Sequence, residues 1–194
     1  RQELGIDKDT RIVGFFGRFM AQKGFSLLRD AVENINQSEN HVPIAVVCFG
    51  WGGFIREEQQ ILKQRGISHY FHFLPGTNAM VAALRGVDMV AMPSRWEACP
   101  LLPMETMIAG TVLVASDCIG MKEVTDNTPA VRFESDSVEG LQLALCQVLA
   151  AMEKHRMDAL AFREEAAARF DVADTAKAVR RLYQSRQGKL GYSN

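Results

Sequence analysis

The chain has 194 residues, 47% of them hydrophobic and 23% charged, and a formal net charge of -1. That length suffices for one large domain with a substantial core, and the composition is ordinary for a globular protein. The near-neutral charge gives no electrostatic case for nucleic acid or an anionic membrane, and no apolar run reaches the roughly 18–20 residues of a membrane span.

Strand and helix signals alternate along the sequence. RIVGFFG (11–17) is a short apolar run ending in glycine, the pattern of a strand buried on both faces. The spacing of Phe25, Leu27, Leu28, Ala31, Val32 and Ile35 predicts a helix over 24–36. PIAVVCFG (43–50) reads as a second strand, and IREEQQILKQR (55–65) as a surface helix closed by Gly66. HYFHFLPG (69–76) reads as a third strand ending in a turn. A short helix at 78–86 precedes a fourth strand at 88–93. A helix starting near Pro100 and ending at Gly110 follows, then strands TVLVAS (111–116) and AVRFE (130–134). From 136 onward the pattern is helical, over 136–153, 155–169 and 172–187. Such alternation predicts an α/β fold: a Rossmann-like, doubly wound parallel sheet of about six strands, with helices on both faces and a helical C-terminal tail. Cys48 and Cys146 sit among apolar neighbours and read as small buried hydrophobes. The cysteines show no CxxC spacing, so a reduced, cytoplasmic setting is expected rather than a disulfide framework.

Ligands of such folds bind beyond the carboxyl ends of the strands. Arg18 follows the first strand, the turn Gly50-Trp51-Gly52-Gly53 the second, and Pro75-Gly76 the third. Ser94 to Glu97 follow the fourth strand and Ser116 to Glu123 the fifth. The stretch PSRWEACPLLPMETMIAG (93–110) is the richest of these. Glu97 stands just before a helix start and Glu105 within the helix. Pro100 and Pro103 suit the first helical turn and lack an N–H, which leaves Leu101 and Leu102 as the main free donors. A helix start of this kind favours an anion, whereas two neighbouring carboxylates favour a ligand with hydroxyls to donate. Phosphate together with sugar hydroxyls indicates a nucleotide or a nucleotide sugar. Gly17 lets the loop after the first strand turn tightly, and Arg18 and Lys23 place two cations over the strand ends as a clamp for a diphosphate.

No metal site is expected. Asp7-Lys8-Asp9 mimics an Asp-x-Asp metal motif but precedes the first strand, at the other end of the sheet. His69 and His72 fall on opposite faces of one strand and are unsuited to joint ligation. The absence of Gly-x-Gly-x-x-Gly after the first strand argues against a nicotinamide dehydrogenase.

Three segments carry a family resemblance: GRFMAQKG near the start, VDMVAMPSRWEACPLLPMETMIAG in the middle, and VLVASDCIGMKEV after it. In order and spacing, along nearly all of 11–170, they resemble the donor-binding half of GT-B glycosyltransferases of the retaining glycosyltransferase family 4. The resemblance implies that Glu97, Arg18 and Lys23 serve transfer, with Glu97 at the donor sugar and the two cations on the diphosphate leaving group. It further implies donor binding by Gly17, Arg18, Lys23, by the backbone around Leu74 to Gly76, by the N–H groups of Leu101 and Leu102, and by Glu105 on the ribose hydroxyls. The donor would be a UDP-, GDP- or ADP-sugar, used without a bound metal, and a hexose-type sugar would pass to a glycan or lipid.

The same resemblance divides the chain into a nucleotide-sugar-binding domain (1–170) and a C-terminal helix (171–194) that crosses toward a missing N-terminal acceptor domain. Val179 and Leu182 would then be partly exposed. The chain, which lacks an initiator methionine, would open near an interdomain linker, bind donor weakly and transfer nothing by itself. Peripheral membrane association would belong to the longer protein. Two departures stand out. Ala98-Cys99-Pro100 replaces a frequent Gly-x-Gly, and the single Gly120 precedes Met121-Lys122-Glu123 where glycine pairs are frequent, which speaks against a role for Gly120 or Glu123 at the donor sugar. The rival readings are a non-catalytic nucleotide-sugar sensor and a nucleotide-sugar epimerase on the same scaffold.

Overall fold

A computed structural model describes residues 1–39 and 42–187. Strands β1 (Arg11–Phe16), β2 (Ile44–Phe49), β3 (Phe71–Leu74), β4 (Met89–Met92), β5 (Val112–Ser116) and β6 (Val131–Phe133) form one sheet in the order β3-β2-β1-β4-β5-β6. Every neighbouring pair is parallel. Between and after them run α1 (Phe25–Gln37), α2 (Ile55–Gln64), α3 (Met80–Arg85), α4 (Leu101–Ala109), α5 (Met121–Thr125), α6 (Val138–Ala150), α7 (Met152–Ala161), α8 (Arg163–Arg169) and α9 (Val172–Gln187). The chain thus winds outward from β1 to β3, then returns to the other side of β1 and winds out to β6.

The continuous apolar runs of the strands are explained by two cores, one on each face. Val13, Phe15, Val46, Cys48, Met89, Ala91, Val112 and Val114 point into one core, where α1 and α6 pack with Leu28, Val32, Leu141 and Leu145. The alternate residues Phe16, Val90, Met92, Leu113 and Ala115 point into the other, against Leu84 of α3, Met107 of α4 and Ala166 of α8. Period-2 alternation across a sheet covered on both sides therefore reads as unbroken hydrophobicity. The start of α6 is capped by the Ser137 hydroxyl, which accepts from the Gly140 N–H at 2.9 Å.

Four details differ from the sequence reading. The third strand begins only at Phe71, because Ser68–Tyr70 form a 3-10 turn, and His69 therefore lies outside the strand. This strand is at the sheet edge, with β2 as its single partner, and has less pairing to hold it extended. The short helix α5 carries only five residues, too few for a visible period, and stands on the buried side chains of Met121 and Val124. The helical run from 136 breaks at Ala151, whose backbone (φ -135°, ψ 38°) leaves the helix, and the next run divides at Phe162. No glycine or proline marks either break. Cys146 is exposed, contrary to expectation, because Leu141, Ala144, Leu145 and Val148 define the buried stripe of α6 and Cys146 falls off it.

The final helix behaves as expected at its apolar positions: Val179 is 45% and Leu182 67% exposed. Residues 188–194 of the predicted tail lie outside the described residues.

These positions predict the thiol chemistry. Cys48 and Cys118 are buried and Cys99 and Cys146 exposed, so a thiol reagent added to folded protein should modify the latter pair promptly and the former only on unfolding. Burial also pushes the Cys48 thiol well up, away from its reactive thiolate. Cys48→Ser, which buries an unpartnered hydroxyl, should cost about 1–3 kcal/mol in a urea melt, and Cys146→Ser should stay within about 0.5 kcal/mol.

Candidate functional site

The two winding directions part between β1 and β4. In a parallel sheet this is where a crevice opens beyond the carboxyl ends of the strands. The loop after β1 supplies Gly17 to Gly24, and the loop after β4 supplies Pro93 to Pro100. Gly24 fixes how closely they approach. Its φ is +66°, and a Cβ added to it would lie 1.9 Å from the Pro93 carbonyl oxygen, so no other residue fits without moving backbone. The contact is reinforced by the Arg95 N–H donating to Gln22 O at 2.8 Å. The Gln22 Nε2 donates to Trp96 O at 2.8 Å, and Arg95 Nη1 donates to Ala21 O at 2.6 Å.

At the centre lies Glu97, only 7% exposed. Its Oε1 accepts from Lys23 Nζ at 2.6 Å and from Ser94 Oγ at 2.7 Å. Its own N–H donates to Ile119 O at 3.0 Å, from the loop after β5. Ser116 Oγ in turn donates to Ser94 O at 2.5 Å. Gly120 packs against the other side, where a Cβ would meet the Glu97 carbonyl oxygen at 2.1 Å. A buried carboxylate is tolerated only with a cation and hydrogen bonds around it, and Lys23 from the loop after β1 and Ser94 from the loop after β4 provide them.

Lys23 and Glu97 are thus brought together directly. Arg18 takes a different position: its Cζ lies 4.9 Å from the Trp51 ring centroid, over the ring. It makes no hydrogen bond or ion pair among the described residues. Pro100 proves to be the N-cap of α4 rather than part of its first turn, and no side chain caps that helix start. The first-turn N–H groups of Leu101 and Leu102 have no intrahelical acceptor to reach. Glu105 sits exposed in the second turn of α4, without a hydrogen bond or ion pair among the described residues. Leu74 ends β3, half-buried, and its carbonyl accepts from the Gly50 N–H at 3.4 Å.

Asp7-Lys8-Asp9 stands before β1, at the opposite edge of the sheet, where the Asp9 N–H donates to Asp7 Oδ1 at 2.9 Å. Among the described residues no group of three or more His, Cys, Asp or Glu is placed to hold a metal. Sequence reasoning missed Trp51 as the partner of Arg18, and the roles of Ser94, Ser116 and Gly120 around Glu97. A small polar residue at the end of a buried strand, or two positions past it, was the available signal for Ser116 and Ser94.

Residues 10–151 match the family described as glycosyl transferases group 1. The D-inositol 3-phosphate glycosyltransferase of Corynebacterium urealyticum is 28% identical over 193 residues, covering 95% of this chain and 45% of that protein. The probable glycogen synthase of Methanocaldococcus jannaschii is 31% identical over 125 residues, covering 61% of this chain and 23% of that one. Among solved structures, Anabaena HepE in complex with UDP-glucose superposes with a TM-score of 0.84 at 21% identity, over 95% of this chain and 51% of HepE. Sucrose-phosphate synthase from Thermosynechococcus elongatus gives 0.82 at 21% identity, over 97% and 48%. The chain therefore spans about half, or less, of the length of these relatives, and its sheet is the Rossmann-like kind found in GT-B glycosyltransferases. With the match running over most of its length, the chain belongs to the group 1 glycosyl transferases.

Proposed function

We propose that this chain is the donor-binding half of a retaining, metal-independent glycosyltransferase that moves a hexose-type sugar from a nucleoside diphosphate to a glycan or lipid acceptor. One observation carries the reading. The loops after β1 and β4 meet at the switch point of the sheet, joined by the Lys23–Glu97 pair, and α4 starts at Leu101, just past Glu97, with no side-chain cap. HepE, which shares the fold, was solved with UDP and with UDP-glucose, so a uridine diphosphate sugar is the donor to test first.

In this reading the diphosphate lies against the start of α4, taking hydrogen bonds from the Leu101 and Leu102 N–H groups. Arg18 and Lys23 neutralise the charge that grows on it as the glycosidic bond breaks, the part a metal plays in other transferases. Gly17 leaves room for the phosphates at the end of β1. Glu105 accepts from the ribose hydroxyls, and the backbone from Leu74 to Gly76 lies along the base. Glu97 faces the donor sugar, and its pairing with Lys23 keeps both in place beforehand. The acceptor domain is assigned to the portion that the longer relatives have and this chain lacks. The exposed apolar positions of α9, Val172, Val179, Leu182 and Tyr183, suit a helix that packs toward that domain. The working site is cytoplasmic, peripheral to a membrane where the acceptor is a lipid.

A thermal-shift panel of UDP, GDP and ADP with their sugars tests the pocket. A ligand at 100 times its dissociation constant adds about 2.7 kcal/mol, on the order of 5–10 °C for a domain this size. One nucleotide should stand out, EDTA should leave its shift unchanged, and Arg18→Ala should sharply reduce it. A shift that vanishes with EDTA overturns the metal-free reading. Lys23→Ala, which leaves the Glu97 carboxylate buried beside Ser94 alone, should destabilise the unliganded chain by roughly 1–3 kcal/mol in a urea melt. Sugar transfer should require the longer protein, and steady transfer to an acceptor by this chain alone would refute the division of labour.

A further inference from the structure

We infer that Trp51 is a positioning residue for the donor diphosphate: it holds the Arg18 guanidinium by its flat face, so that the N–H edge stays free for phosphate. The inference rests on the donor-site reading of Arg18 and adds a residue that the reading does not contain. Lys23 and Arg18 are held in opposite ways. Lys23 is fixed by a carboxylate, at 2.6 Å from Glu97, and spends a donor on it. Arg18 is exposed and has no carboxylate partner among the described residues, yet it is not left to wander, since its Cζ lies 4.9 Å from the Trp51 ring centroid. A guanidinium presents five N–H donors around its rim and none on its face. Stacking on an indole therefore orders it without using a hydrogen bond that phosphate will need. An unrestrained arginine would lose much of its rotamer freedom on binding, which an aromatic platform removes in advance.

The backbone shows that this platform is built into the fold. The Gly17 N–H donates to Phe49 O at 2.9 Å and the Phe19 N–H to Trp51 O at 2.8 Å, so the loops after β1 and β2 run side by side around Arg18 and Trp51. Gly50 and Gly52 flank Trp51 at the points of closest approach. A Cβ on Gly50 would lie 1.9 Å from Gly17 O, and one on Gly52 would lie 2.4 Å from Phe19 O. Two backbone contacts that exclude side chains thus bracket the one large residue of the turn. Trp51 is itself 65% exposed, so it fills no core and packing gives it no other task.

The test is a double-mutant cycle read by isothermal titration calorimetry of UDP into this chain, with melting temperatures confirming that each variant is folded. Arg18→Ala should weaken UDP binding. Trp51→Ala should weaken it about five- to tenfold, whereas Trp51→Phe should retain most of the affinity because a ring face remains. Arg18→Ala combined with Trp51→Ala should bind no more weakly than Arg18→Ala alone, since the indole acts only through the guanidinium. Wild-type affinity in Trp51→Ala, with Arg18→Ala impaired, overturns the inference and leaves the donor site standing. Strictly additive losses also overturn it, because Trp51 would then touch the nucleotide independently. Unchanged binding in Arg18→Ala removes the diphosphate clamp and this inference together.

Discussion

A carboxylate buried to within 7% of full enclosure cannot stand alone, and much of this site follows from how Glu97 is satisfied. Lys23 must reach the carboxylate from the loop after β1 and Ser94 from the end of β4, while the Glu97 backbone N–H donates to the Ile119 carbonyl in the loop after β5. Side chain and backbone of this one residue therefore tie together the loops after β1, β4 and β5. Removing a partner would strand the charge. The sheet contributes the other half of the constraint. Because β1 lies between β2 and β4, the chain departs from it in one direction and comes back in the other, and the loops carrying Lys23 and Glu97 are parted just enough to leave a crevice.

Around that crevice two devices hold positive charge ready. A lysine pinned by a carboxylate is stable and half-committed: a ligand must compete for it. An arginine resting on a ring is restrained in orientation but chemically uncommitted. On the proposed function, a site that releases as well as binds a diphosphate gains from having both, since the ion pair can re-form when the ligand leaves. The open start of α4 adds a third source of positive potential, one that needs no side chain at all.

The sheet was legible in the sequence because its strands are covered on both faces, so VVC in β2 or VLV in β5 had to be uninterrupted apolar runs. The helices were legible where a stripe was clear, as in α1. Reading failed where tertiary context outweighed composition. Cys146 has apolar neighbours, but the angle of α6 against the sheet turns it outward. His69 carries a strand-like neighbourhood, but the edge strand has no second partner to extend it. At the site, residue types and their order singled out Arg18, Lys23, Glu97 and Glu105 as candidates, and the structure pairs Lys23 with Glu97. They did not reveal who would hold whom: Trp51 is 33 positions from Arg18, and Gly120 is 23 from Glu97. Long-range pairing of that kind is settled by topology, which a run of residues does not state.

The placement of β1 also sets an order of assembly. Its register with β2 joins Arg11 to Ile44 and Phe16 to Phe49, but its register with β4 joins Val13 to Met89 and Gly14 to Val90. During synthesis, β1, β2 and β3 can pair while the partner for the other edge of β1 has yet to emerge. That edge, Ile12 to Phe16, is among the most apolar in the molecule and is an open template for pairing with another chain. Between the making of β3 and the arrival of β4 that edge of β1 stays open, and the strand that covers it also creates the crevice.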